Sequence, residues 1–99
     1  VNDLNPFKIM AYAYTVEFQQ NIALNSDDVA RHYSMEGRIV LDKLLEKNRP
    51  ENDLMHEVFE SLKWQMELES LDHDVLTALA NGVCAVLRDN PEFTKLFLK

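Results

Sequence analysis

Apolar residues recur along this chain at spacings that predict helices almost from end to end. At about 100° per residue, five stretches resolve into faces: residues 6–23, 27–47, 51–69, 73–89 and 91–98. The second gathers Ala30, Tyr33, Gly37, Val40, Leu41 and Leu44 on one stripe. The third gathers Leu54, Met55, Val58, Phe59, Leu62 and Met66, and the fourth Leu76, Leu79, Ala80, Val83, Val86 and Leu87. The short last stretch offers Phe93, Leu96 and Phe97 as a lid.

The starts of these stretches carry capping signals. Asn5-Pro6 and Asn90-Pro91 each pair an Asn, whose side chain accepts from orphan N–H groups, with a Pro suited to the first helical position. Pro50 precedes Glu51 and Asp53, acids that suit the positive end of a helix. Ser26-Asp27-Asp28 and Asp72 supply two more starts, with Leu71 and Leu76 spaced as a hydrophobic staple. Two glycines and three prolines in 99 residues are few turn signals for a many-stranded fold. The expected architecture is all-α: a single domain over residues 1–99, a bundle of four main helices plus a short C-terminal helix.

Two of these helices hold more apolar surface than one core needs. In the first, Phe7, Met10, Tyr14, Phe18 and Ile22 form one face, and Ile9, Tyr12, Val16 and Ala23 a roughly opposite one. In the fourth, Ala78, Gly82 and Ala85 line the side away from the main stripe. A helix apolar nearly all round is either central or covered by something else. Tyr12 and Val16 are therefore candidates for self-association, as in a homodimer.

Charge narrows the partners. A formal net charge of −7 disfavours direct binding to nucleic-acid phosphates or anionic membrane surfaces, both of which call for clustered Lys and Arg. No stretch approaches the roughly 18 consecutive apolar residues of a membrane span. Cys84 is the single cysteine and reads as a small buried hydrophobe in a reducing compartment. With no basic-then-apolar leader at the start, the expected location is the cytoplasm.

The excess acid is concentrated in the third helix. Residues 50–70 hold six acids (Glu51, Asp53, Glu57, Glu60, Glu67, Glu69) against Lys63 alone. Asp53, Glu57, Glu60 and Glu67 recur at helical spacing beside Trp64, the only tryptophan. An acidic fringe around an exposed indole steers a basic partner in and anchors it by desolvation. Asp53, Glu57, Glu60, Trp64 and Glu67 are thus the expected partner-binding residues.

Catalytic chemistry is thin. His56 and Glu60 lie i,i+4 with Asp53 three residues earlier, enough for a weak two-ligand surface site. The Glu-x-x-His motifs of carboxylate-bridged bundles are absent. His73-Asp74 matches the adjacent pair of some metal phosphohydrolases, but capping and the helix dipole explain those acids better. His32 lacks the nearby Lys that a phosphotransfer histidine needs. Isolated Gly37 and Gly82 make no phosphate loop, and no serine has a triad context. No cofactor and no resident metal are expected. The expected function is a non-enzymatic adaptor, regulator or inhibitor that binds a basic protein. Two alternatives stand beside it: a partial nucleic-acid mimic of the kind mobile elements encode, and a metal-dependent helical-bundle enzyme using His and carboxylate ligands.

Overall fold

The second half of the chain is helical, as its sequence predicts, but the described residues of the first half form strands. The computed structural model describes residues 4–20, 37–43 and 50–98, together with the backbone of 30–33. Four strands, β1 (Phe7–Ile9), β2 (Tyr12–Gln19), β3 (Ala30–Tyr33) and β4 (Arg38–Asp42), precede three helices, α1 (Glu51–Gln65), α2 (His73–Asp89) and α3 (Pro91–Lys95). A 3₁₀ turn, Leu96–Leu98, follows. The protein is therefore an α/β fold and not the all-α helical bundle expected from periodicity; the described residues before Lys43 form a sheet.

The reason is a misread period. Residues 12–19 run Tyr-Ala-Tyr-Thr-Val-Glu-Phe-Gln, with a large apolar group at every second position. Aromatic and β-branched side chains suit a pleated, half-buried surface. Projected on a helical wheel, a period of two scatters apolar groups over opposite sides. The first stretch reads as apolar all round because its described part is a pair of strands. Tyr14, Val16 and Phe18 point to one face of the sheet and pack in the core. Val16, expected on an outward surface, is only 2% exposed.

Strand order is β1-β2-β4-β3. β1 and β2 form an antiparallel hairpin with Ile9 opposite Tyr12, so the turn is Met10-Ala11, and Met10 takes a positive φ of 53°. Two-residue hairpins require such left-handed positions. The Asn5 side chain continues this ladder. Its Oδ1 accepts from the Val16 N–H at 2.7 Å, and its Nδ2 donates to the Val16 carbonyl at 3.3 Å. The expected helix cap at Asn5-Pro6 is instead a strand cap. β4 pairs antiparallel with β3 and parallel with β2.

β4 lies between two neighbours, and Ile39, Val40, Leu41 and Asp42 are each at most 2% exposed. A strand buried on both faces reads as a continuous apolar run, which resembles a buried helix. Gly37 was expected on the apolar stripe of the second helix. It has φ +64° and donates nothing to a helix; its carbonyl accepts from Thr15 N–H at 2.8 Å and opens the parallel ladder. The expected helix start at Ser26-Asp27-Asp28, and the positions Ile22, Ala23 and Leu44, lie outside the described residues.

α1 crosses the sheet and sets Leu54, Val58 and Leu62, one turn apart, on Ile9, Tyr14, Val16, Ile39 and Leu41. α2 packs against α1 and buries Leu76, Ala80 and Cys84 at i, i+4 and i+8. Its start matches expectation: Asp72 Oδ1 accepts from Val75 N–H at 2.9 Å, satisfying one orphan donor.

Candidate functional site

The α2 segment from Val75 to Leu87 carries no charged residue. Only one side of it is needed by the core. Leu76, Ala80 and Cys84 turn toward α1, while Val75 (41% exposed), Leu79 (45%) and Val86 (50%) face outward. Leu79 and Val86 were expected in the buried stripe. The structure places them beside the small residues Ala78, Gly82 and Ala85, which the wheel did put outside.

The C-terminal segment extends this surface. α2 ends at Asp89, where Asn90 Nδ2 donates back to the Val86 carbonyl at 2.9 Å. Thr94 Oγ1 donates to the Leu87 carbonyl at 2.9 Å and ties α3 to the end of α2. Phe93 and Phe97 then meet edge to face at 5.3 Å and form one wall of a shallow apolar groove floored by Leu79, Gly82, Val83 and Val86. The segment was expected to act as a lid, yet Leu96, Phe97 and Leu98 are 57%, 68% and 79% exposed. A Cβ added at Gly82 would meet nothing within 4 Å. Scattered exposed apolar residues are ordinary, but the groove that joins Leu79, Val83, Val86, Phe93 and Phe97 is contiguous, and such a patch marks a contact surface. Among the described residues no helix is long and apolar enough to cross a membrane. The signal in the sequence was the thirteen-residue uncharged run itself, which a two-sided helix would have interrupted with charge.

The acidic side of α1 is arranged differently from expectation. Glu57 is buried at 4% exposure, and Asp53 and Glu60 are half-buried. Burial raises the Asp53 carboxyl above its ordinary value, with the nearby His56 pulling it back in part. Glu60 lies next to His56 and His73. Glu67 is exposed beyond the helix, with φ 55°. Asp53, Glu57 and Glu60 are therefore drawn into the fold, not spread as a solvated fringe around the indole.

Trp64 itself is 41% exposed and leans on Tyr12 with ring centroids 5.0 Å apart. Gln65 joins the two elements, its Nε2 donating to the Ile9 carbonyl at 2.8 Å and its Oε1 accepting from Ala11 N–H at 3.3 Å. This brings the hairpin turn, with Met10 at 66% exposure, to the end of α1. Tyr12 and Trp64 are thus one surface, while Val16 is beneath α1. No known protein family, curated protein or solved structure matches this chain.

Proposed function

We propose that this chain is a non-enzymatic interaction protein, and that the apolar face of α2 with the C-terminal turn is its contact surface. The carrying observation is the set of exposed Val75, Leu79 and Val86 on the uncharged Val75–Leu87 stretch of α2, followed by exposed Phe93, Leu96, Phe97 and Leu98 in the C-terminal segment. At their fractional exposures, these residues present on the order of 700 Å², close to the roughly 800 Å² that each partner buries in a standard interface. The occupant that this surface fits is a second copy. An antiparallel pair of α2 helices with a two-fold axis at Gly82 sets Leu79 of one against Ala85 of the other, and Val86 against Ala78. Large meets small on both sides of the axis, and the glycine lets the backbones approach.

Sedimentation velocity across a concentration series tests this. The expected result is a concentration-dependent dimer that Leu79→Glu and Val86→Glu each convert to monomer with the fold retained by circular dichroism. A wild-type monomer at millimolar concentration would rule out self-pairing.

A second surface, Trp64 on Tyr12 with Met10 nearby, supports the basic-partner reading in reduced form. Its remaining acidic edge is Glu67 and Glu69, both exposed. Charge reversal at these two, not at buried Glu57, is the appropriate probe. A basic partner held here dissociates as salt rises and is lost in Glu67→Lys/Glu69→Lys.

A further inference from the structure

His56, Glu60 and His73 offer one ligand atom each, all within 4.8 Å of one another. Two come from adjacent turns of α1 and the third from the first residue of α2, so the cluster sits at the seam between the two helices. The imidazoles of His56 and His73 meet edge to face with centroids 4.6 Å apart. We propose that these three side chains form a binding site for a divalent transition metal ion, with zinc as the best match.

Thr77 bears on the tautomer of His56. Thr77 Oγ1 donates its proton to the His73 carbonyl at 3.0 Å. A hydroxyl has one proton, so toward His56 Nδ1, 3.3 Å away, Thr77 acts as acceptor. That contact suits the His56 tautomer with its hydrogen on Nδ1, in which Nε2 is the ligating nitrogen. Ligating histidines are commonly oriented this way, by a hydrogen bond from the ring nitrogen that does not bind the metal.

Glu60 adds an independent observation. Its Oε1 is buried and has no hydrogen-bond partner among the described residues. Folding has stripped water from a carboxylate oxygen without replacing it, an arrangement that costs free energy unless a cation or donor fills it. Two imidazole nitrogens and one carboxylate oxygen suit zinc, which takes such donors at about 2.0–2.2 Å. Tetrahedral bonds of that length hold donor atoms about 3.3 Å apart. Contraction from 4.8 Å is within rotamer reach for the two half-buried α1 ligands and the exposed His73. A three-ligand set leaves the fourth position to water or to a group from outside. Asp53, one turn before His56, adds negative potential at the same seam.

The sequence grouped His56 with Glu60 and Asp53 and set His73 apart from them, beside Asp74. His73 is seventeen residues away from His56, and only the reversal between α1 and α2 brings it back. The test is calorimetric titration of tag-free, chelator-stripped protein with zinc chloride, alongside cobalt(II) absorption. One ion per chain is expected, with cobalt bands of four-coordinate nitrogen and oxygen ligation and no thiolate charge-transfer band. His73→Ala, at an exposed position, should weaken zinc binding about 100-fold or more, and Thr77→Val about 10-fold, with Thr77→Ser restoring it. Absence of stoichiometric binding, equal affinity in His73→Ala, or a thiolate band from Cys84 would each overturn the site.

Discussion

The hydroxyls of Tyr14 and Ser61 meet at 2.8 Å in the interior, joining the middle of β2 to the sheet-facing side of α1. Tyr14 is 1% exposed and Ser61 is fully buried. Gln65 Nε2 donates to the same Ser61 Oγ at 3.0 Å and to the Ile9 carbonyl at 2.8 Å. Three elements are thereby registered through polar contacts beside the apolar cluster of Ile9, Val16, Ile39 and Leu41. Tyr14→Phe should cost about 1–3 kcal/mol, because a buried hydroxyl loses a partner it cannot replace with water. Tyr14→Phe/Ser61→Ala should cost less than the sum of the two single changes, since both polar ends leave together. Urea unfolding of all four proteins gives the coupling. Strict additivity would show that the contact contributes nothing specific.

Three helix starts were legible in this chain from a turn residue followed by a first-turn acid, although only Asp72 caps with its side chain. Pro50 with Glu51 and Asp53, Asp72, and Asn90-Pro91 all mark real helix beginnings. The inward stripe Leu54, Val58 and Leu62 was legible for the same reason: a period near 3.6 sustained over several turns. The sheet was not. β1 has three residues and β4 five, so each is too short for its period to stand out. β4 is buried on both faces and shows no alternation at all. The parallel pairing of β2 with β4 is a long-range choice that no local pattern encodes. At the candidate site, the outward positions of Ala78, Gly82 and Ala85 were readable, whereas Leu79 and Val86 were not. Their exposure depends on α2 having α1 on one side only.

Gly37 and Gly82 should respond oppositely to alanine. Gly37 has φ +64°, and a Cβ there would approach the Ala13 carbonyl oxygen at 3.2 Å. Left-handed backbone strains any L side chain, and that contact adds to it. Gly37→Ala is expected to destabilise by about 1–2 kcal/mol. Gly82 is in the interior of a helix with open space around its missing Cβ. Gly82→Ala should stabilise the monomer by about 0.5–1 kcal/mol through helix propensity and reduced unfolded-state entropy. Thermal melts at concentrations where the chain is monomeric make the comparison. The same Gly82→Ala change should weaken the proposed self-pairing, because it pushes the two backbones apart at the axis. A variant more stable as a monomer yet poorer as a dimer is a pattern that general destabilisation cannot mimic.

Asp53 gives a pH dependence with a definite sign. Its carboxyl is raised above the ordinary 3.8, chiefly because burial penalises the charged form; His56 opposes that shift and Glu51 adds to it. A folded-state value above the unfolded one means that the folded protein favours the protonated acid. The stabilising contribution is full below about pH 3.8 and is lost as pH rises through the raised folded value. Asp53→Asn should therefore be more stable than the parent at neutral pH. That advantage should shrink on acidification and vanish below the unfolded value. Paired urea titrations across pH 3–7 measure it. A constant difference between the two proteins would mean that Asp53 is not titrating in this way.

Cys84 should behave as an inert thiol in the native state. It is 4% exposed, and its Sγ donates to the Glu51 carbonyl at 3.8 Å, across the α1–α2 seam. Burial pushes the thiol above its ordinary 9.0, and the opposing pull of Arg88 is the smaller effect. The thiolate is the reacting form, so both access and ionisation suppress attack by a disulfide reagent near pH 8. Labelling should be slow in native protein and complete within seconds in urea. The native rate should rise in destabilised variants such as Tyr14→Phe with the opening equilibrium constant, about tenfold for each ~1.4 kcal/mol lost, because reaction then passes through opened chains. Above pH 9 the raised folded value also means that ionisation opposes folding, so stability should fall there more steeply than in Cys84→Ala. Rapid native labelling at the denatured rate would show that α2 does not stay seated on α1.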